Sequence, residues 1–179
     1  MSNHEERLVV DSLNVLMGFS RTKDGQSHKT IRMVEKHPET DLEVFKAKLS
    51  VIGGIWRIHR TVNARDVHKA RKVLLHMLIN YPEKASYIDS LWRTCLLQSS
   101  CIYGDKKFMF DVDTSDINDI NTILTKIPNE FIYEVVVTPS GGRHIITKPF
   151  DTREVLKLGD VTLIRDGYVY VCSVGDEKS

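Results

Sequence analysis

The chain has 179 residues, with 25 Lys plus Arg against 24 Asp plus Glu for a formal net charge of +1, and it is 41% hydrophobic and 27% charged. That balance excludes a wholly disordered or collagen-like chain, and the length predicts one compact domain, with or without a helical appendage, able to bury a substantial core. No run approaches the roughly 18 uninterrupted apolar residues of a membrane span, and the opening Met-Ser-Asn-His-Glu-Glu lacks a secretory signal's basic and apolar regions.

A soluble, intracellular, cytoplasmic protein with no membrane partner is therefore expected. Cys95, Cys101 and Cys172 contain no CxxC pair, which fits idle thiols in a reducing compartment better than a structural zinc.

In chain order, Leu8, Val9, Leu13, Leu16 and Met17 recur at helical spacing, so residues 5–19 read as a helix. Residues 20–40 are polar and weakly periodic and read as an extended connection or arm. Residues 1–50 are thus expected to be a helix plus arm, and 51–179 a single α+β domain. The β-rich run 51–62 leads into Val67, Ala70, Val73, Leu74, Met77 and Leu78, a helix capped by Asn63 or Asp66 and stopped at Tyr81-Pro82. A second helix is expected over 83–98. Residues 107–113 form a short apolar strand ending in two carboxylates, and Thr114 or Ser115 caps a helix faced by Ile117, Ile120, Ile123, Leu124 and Ile127. Two hairpins follow, 131–138 with 143–147 and 161–165 with 168–172, separated by a short helix over 151–158. The fold class is α+β, with a mixed, largely antiparallel sheet.

Charge is unevenly spread. Arg57, Arg60, Arg65, Lys69, Arg71 and Lys72 face only Asp66 in one segment, while Asp111, Asp113, Asp116 and Asp119 cluster without a cation in another. Strand alternation puts Asp111 and Asp113 on one face, suited to hard Mg²⁺ or Mn²⁺; the alternative is an acidic first turn for the following helix. In Thr138-Pro-Ser-Gly-Gly-Arg-His144, Gly141 and Gly142 let backbone N–H groups approach an anion, with Ser140 and either Arg143 or His144 as further donors. A plain hairpin turn with a core histidine is the competing reading. Lys148 reaches a triphosphate or covers the sheet with its stem.

Taken together, an apolar strand ending in Asp111-Val112-Asp113 and a turn Ser140-Gly141-Gly142-Arg143-His144 some thirty residues later resemble the archaeo-eukaryotic primase (primase-polymerase) superfamily, in a small or reduced form. The resemblance covers roughly residues 55–172. It implies an RRM-like catalytic half and a nucleotidyltransferase that joins nucleoside triphosphates on a DNA or RNA template, with replication proteins among its partners. Asp111 and Asp113 would bind the catalytic metal, while Ser140, Gly141, Gly142, His144 and Lys148 would meet the nucleotide. Ile164-Arg165-Asp166 is displaced by one residue from the family's third motif, so Asp166 is either a third metal ligand or part of an Asp-Gly turn. Arg57, Arg60 and Arg65 would contact nucleic acid. Alternatives from other classes are a noncatalytic nucleotide- or nucleic-acid-binding module, a structural interaction protein, and a two-histidine phosphoesterase built on His59-Arg60-Thr61 and His144-Ile145-Ile146-Thr147.

Overall fold

The computed structural model describes residues 11–21 and 27–175. Its elements are β1 (Ser12–Ser20), β2 (Lys29–Glu35), α1 (Pro38–Ile52), β3 (Trp56–Thr61), β4 (Arg65–Asp66), α2 (Val67–Asn80) and α3 (Ile88–Leu96). There follow β5 (Phe108–Val112), α4 (Ile117–Thr125), β6 (Ile132–Val137), β7 (Arg143–Thr147), α5 (Arg153–Leu156), β8 (Val161–Ile164) and β9 (Tyr168–Val174). The strands form two antiparallel sheets, one ordered β2-β1-β3-β9 with β4 paired to β1, the other β6-β7-β5-β8.

The N-terminal expectation is corrected. Residues 12–20 are a central strand, not the end of a helix, and residues 1–10 lie outside those described. A strand buried on both faces carries a near-continuous apolar run, Leu13, Val15, Leu16 and Met17 here, and over this length it mimics helical spacing. The expected polar arm contains β2 and the start of α1. Helix α1 buries Phe45 and Leu49 against Leu16, Trp56 and Ile58. A Cβ on Gly18 would sit 2.9 Å from Leu49 Cδ1, so this glycine lets the helix seat on the strand.

Helix α2 is capped as expected, the Asp66 carboxylate accepting from Lys69 N–H, and it ends at Asn80 before Pro82. The predicted second helix divides into a 3-10 turn over Pro82–Tyr87 and α3. Helix α4 is capped by Asp116, which accepts from Asn118 and Asp119 N–H, rather than by Thr114 or Ser115. Cys95 and Cys101 are buried, Cys172 is half-buried, and all three are free.

The second sheet is built as β5-α4-β6-β7-α5-β8, a split βαβ arrangement. One face, with Phe110, Val112 and Ile145, packs on Ile120, Ile123 and Ile127 of the α4 region and on Val155. Its other face meets the first sheet through Met109 and Ile146 against Val62 and Val169. The hairpin expected across Asp166-Gly167 is not formed: β8 pairs with β5 and β9 with β3, so the chain changes sheets there. No helix among the described residues is long and apolar enough to cross a membrane.

Candidate functional site

The β5–β7 register sets Asp111 directly opposite His144, on the face that meets the first sheet. His144 is buried, and its Nδ1 accepts the Tyr170 N–H of edge strand β9 at 2.9 Å. The neutral ring therefore carries its proton on Nε2, which lies 3.4 Å from Asp111 Oδ1. Asp111 is half-buried. Asp113, just past β5, is exposed and tethered by its N–H to Asp160 C=O at 2.9 Å.

The β6–β7 turn rests against this strand exit. Gly141 has φ +87°, and a Cβ there would come within 2.8 Å of Ser115 Cβ, while a Cβ on Gly142 would lie 2.2 Å from Val112 O. Glycine at both positions is what lets the turn approach. Gly141 and Gly142 are thereby brought beside Ser115 and Val112. The Gly141 N–H, however, already donates to Thr138 C=O at 2.9 Å. The Ser140 hydroxyl lies 3.1 Å from Thr138 Oγ1. Arg143 folds back on the carbonyls of Gly141 and Gly142, clamping the turn from the opposite face.

Three predicted residues are used elsewhere. Asp166 takes a bidentate bond from Arg65, at 2.9 and 2.8 Å, and a third from Asn63 at 3.2 Å. Arg65 is only 2% exposed, so it is not a nucleic-acid surface, and a guanidinium withdrawn from water requires this carboxylate. Both Asp166 oxygens are thus engaged away from Asp111 and Asp113. Among the described residues no group of three or more His, Cys, Asp or Glu gathers around a possible metal position. Lys148 is the third: four residues along β7 from His144, or about 13 Å at the strand rise, its ammonium lies near the Tyr133 ring instead. Arg60 pairs with the buried Glu35 at 2.7 Å, and Arg57 is half-buried.

His59 is brought to the site without having been assigned a place there with Asp111 and Asp113. Its ring lies 5.1 Å from Phe19, 5.6 Å from Tyr170 and 6.1 Å from His144. The hydroxyls of a two-histidine site do not join them. Thr61 Oγ1 donates to Asn14 and accepts from Val15 N–H, and Thr147 is fully buried on the face opposite His144. Burial pushes the His59 pKa down from 6.5 to about 4, aided by the neighbouring His144, Arg21 and Arg57 and opposed by the Arg57 carbonyl.

The folded state therefore takes this proton later than the unfolded chain does on acidification. Stability from neutral His59 is complete above pH 6.5 and is lost as pH falls toward 4, by about 3 kcal/mol in all. Urea unfolding of wild type and His59→Leu across that range should show a shallower pH slope in the variant; equal slopes would refute the assignment. No family model, curated protein or solved structure matches this chain.

Proposed function

We propose that the chain is a metal-dependent nucleotidyltransferase of primase-polymerase type, with an RRM-like β5–β8 half, acting on nucleoside triphosphates and a nucleic-acid template. The observation that supports this reading best is the packing of the Ser140–Gly142 turn on the β5 exit, next to an Asp111–His144 pair. Asp111 and Asp113 are acceptor-only oxygen donors at an open strand end, a set that fits Mg²⁺ or Mn²⁺, ions content with one or two carboxylates plus water and phosphate. When bound, the cation neutralises charge developing on the transferring phosphoryl group. The protein's own part is to bind and orient. His144 presents Nε2–H, held in that tautomer by Tyr170, and Ser140 adds a hydroxyl.

His144→Asn keeps an acceptor for Tyr170 N–H but removes the Nε2 donor. It should weaken Mn²⁺-nucleotide affinity about tenfold, the value of one charge-assisted bond, with little change in melting temperature. Labelled nucleotides incubated with protein, Mn²⁺ and DNA or RNA templates should give extension or de novo products. Absence of product on every template overturns the enzymatic reading. Nucleotide binding that survives such a result would identify a noncatalytic binding module, a second reading favoured by the capture of Asp166 by Arg65.

A further inference from the structure

On the β6 side of the His144–Tyr170 contact, an open cleft of about 590 Å³ runs between the sheets, its lining including Arg60, Lys107, Tyr133, Val136, Ile146 and Tyr170. Tyr133 lies at a bulge in edge strand β6 and keeps 48% of its surface exposed. Two ammonium groups surround its ring, Lys107 Nζ at 5.0 Å and Lys148 Nζ at 5.9 Å from the centroid.

Lys107 stands on a rigid base. Its N–H donates to Asn63 Oδ1 at 2.7 Å and its carbonyl accepts from Asn63 Nδ2 at 3.2 Å. Asn63 is 1% exposed and also donates to Asp166, which Arg65 holds. The polar network thus fixes the Lys107 backbone in the lining of the cleft. Lys148 is anchored by its N–H to Phe131 C=O at 2.8 Å.

A half-exposed aromatic ring with two ammonium groups over it selects a ligand whose negative charges draw the flexible ammonium groups off the ring and whose flat π surface takes their place. A nucleic-acid strand does so, its base stacking on the ring and its phosphates meeting the ammonium groups. The base must be unpaired, because a duplex keeps its base faces stacked on one another. An acidic peptide supplies the charges without the flat faces.

We propose that Tyr133, Lys107 and Lys148 form a contact site for single-stranded nucleic acid, one unpaired base lying on Tyr133. The contact rests on the proposed activity only for its purpose, leading a strand toward Asp111 and His144; the binding itself needs neither metal nor turnover.

Fluorescence anisotropy with a labelled oligothymidylate of about twelve nucleotides, within the usual range of single-strand site sizes, tests it. The oligonucleotide should bind more tightly than a duplex of equal length or a poly-glutamate peptide. Tyr133→Ala should weaken binding about fivefold or more while Tyr133→Phe retains it. Lys107→Gln and Lys148→Gln should each lower the slope of log affinity against log salt by about 0.7. Thermal melting of each variant establishes that the fold is retained. No oligonucleotide binding, equal binding by Tyr133→Ala, or preference for duplex or peptide overturns the site. Mn²⁺-nucleotide affinity measured on the same samples separates the two ideas. Nucleotide binding that persists without strand binding defeats this inference alone, and Tyr133-dependent strand binding without nucleotide binding defeats the proposed activity alone.

Discussion

Asp166→Ala is expected to lower the unfolding free energy by about 3–5 kcal/mol, about 6–20 °C in Tm for a chain of this size. The loss arises on the arginine side. Arg65 is 2% exposed, and its Nε already lacks a partner, so removing Asp166 strands a cation away from water. Arg65→Ala should cost less, since the Asp166 side chain is 18% exposed and can be rehydrated. Pairing Arg65→Met with Asp166→Leu should recover most of the loss, because a well-packed apolar pair often equals a buried ion pair. Urea unfolding of the three variants decides. A metal ligand would give the opposite pattern, lost activity at unchanged stability.

Asp113→Ala should have its large effect on turnover. On the proposed activity the rate falls by about 10²–10³-fold, as when one preorganised electrostatic group is removed from a transition state. Stability should move by less than about 0.5 kcal/mol. Asp113 is exposed, and the bond that holds its position uses its backbone N–H, which alanine retains. Single-turnover assays in Mn²⁺ alongside thermal melts measure both quantities. Turnover equal to that of wild type would remove Asp113 from the reaction.

Local pattern was a reliable guide where one periodicity dominated. Helix α4 follows Ile120 and Ile123, and the β6–β7 hairpin follows its β-branched run and Pro-Ser-Gly-Gly turn. It misled where burial erased the period. Strand β1 is covered on both faces and resembles a helix, and α1 buries only Phe45 and Leu49 among many polar residues. The Asp166-Gly167 dipeptide has the chemistry of a tight hairpin turn, yet Arg65, 101 residues earlier, determines what Asp166 does. Turn propensity carries no information about such a distant partner. The placing of Asp111 opposite His144 was expected only through the resemblance of the two motifs to a known family, since their spacing alone fits a plain hairpin as well. His59 against His144 was not, because it depends on how two separate sheets stack.

The crossing of β9 from the second sheet's neighbourhood back to β3 has a kinetic consequence. Trp56 finds its partner Val174 only after the whole β5–β8 unit has been synthesised, so during translation β3 is an open edge beside a finished β1. Pairing of this kind must overcome loop-closure entropy before any contact rewards it, which slows folding and exposes strand edges to other chains. The β5–β8 unit pairs residues no further apart than Met109 and Ile164, a much shorter span than that from Trp56 to Val174, so it is free to form first and shorten the effective loop that β9 must close. Nascent chains arrested before residue 168 should consequently hold a protease-resistant β5–β8 core while the β1–β3 region remains open to cleavage and to association between neighbouring chains.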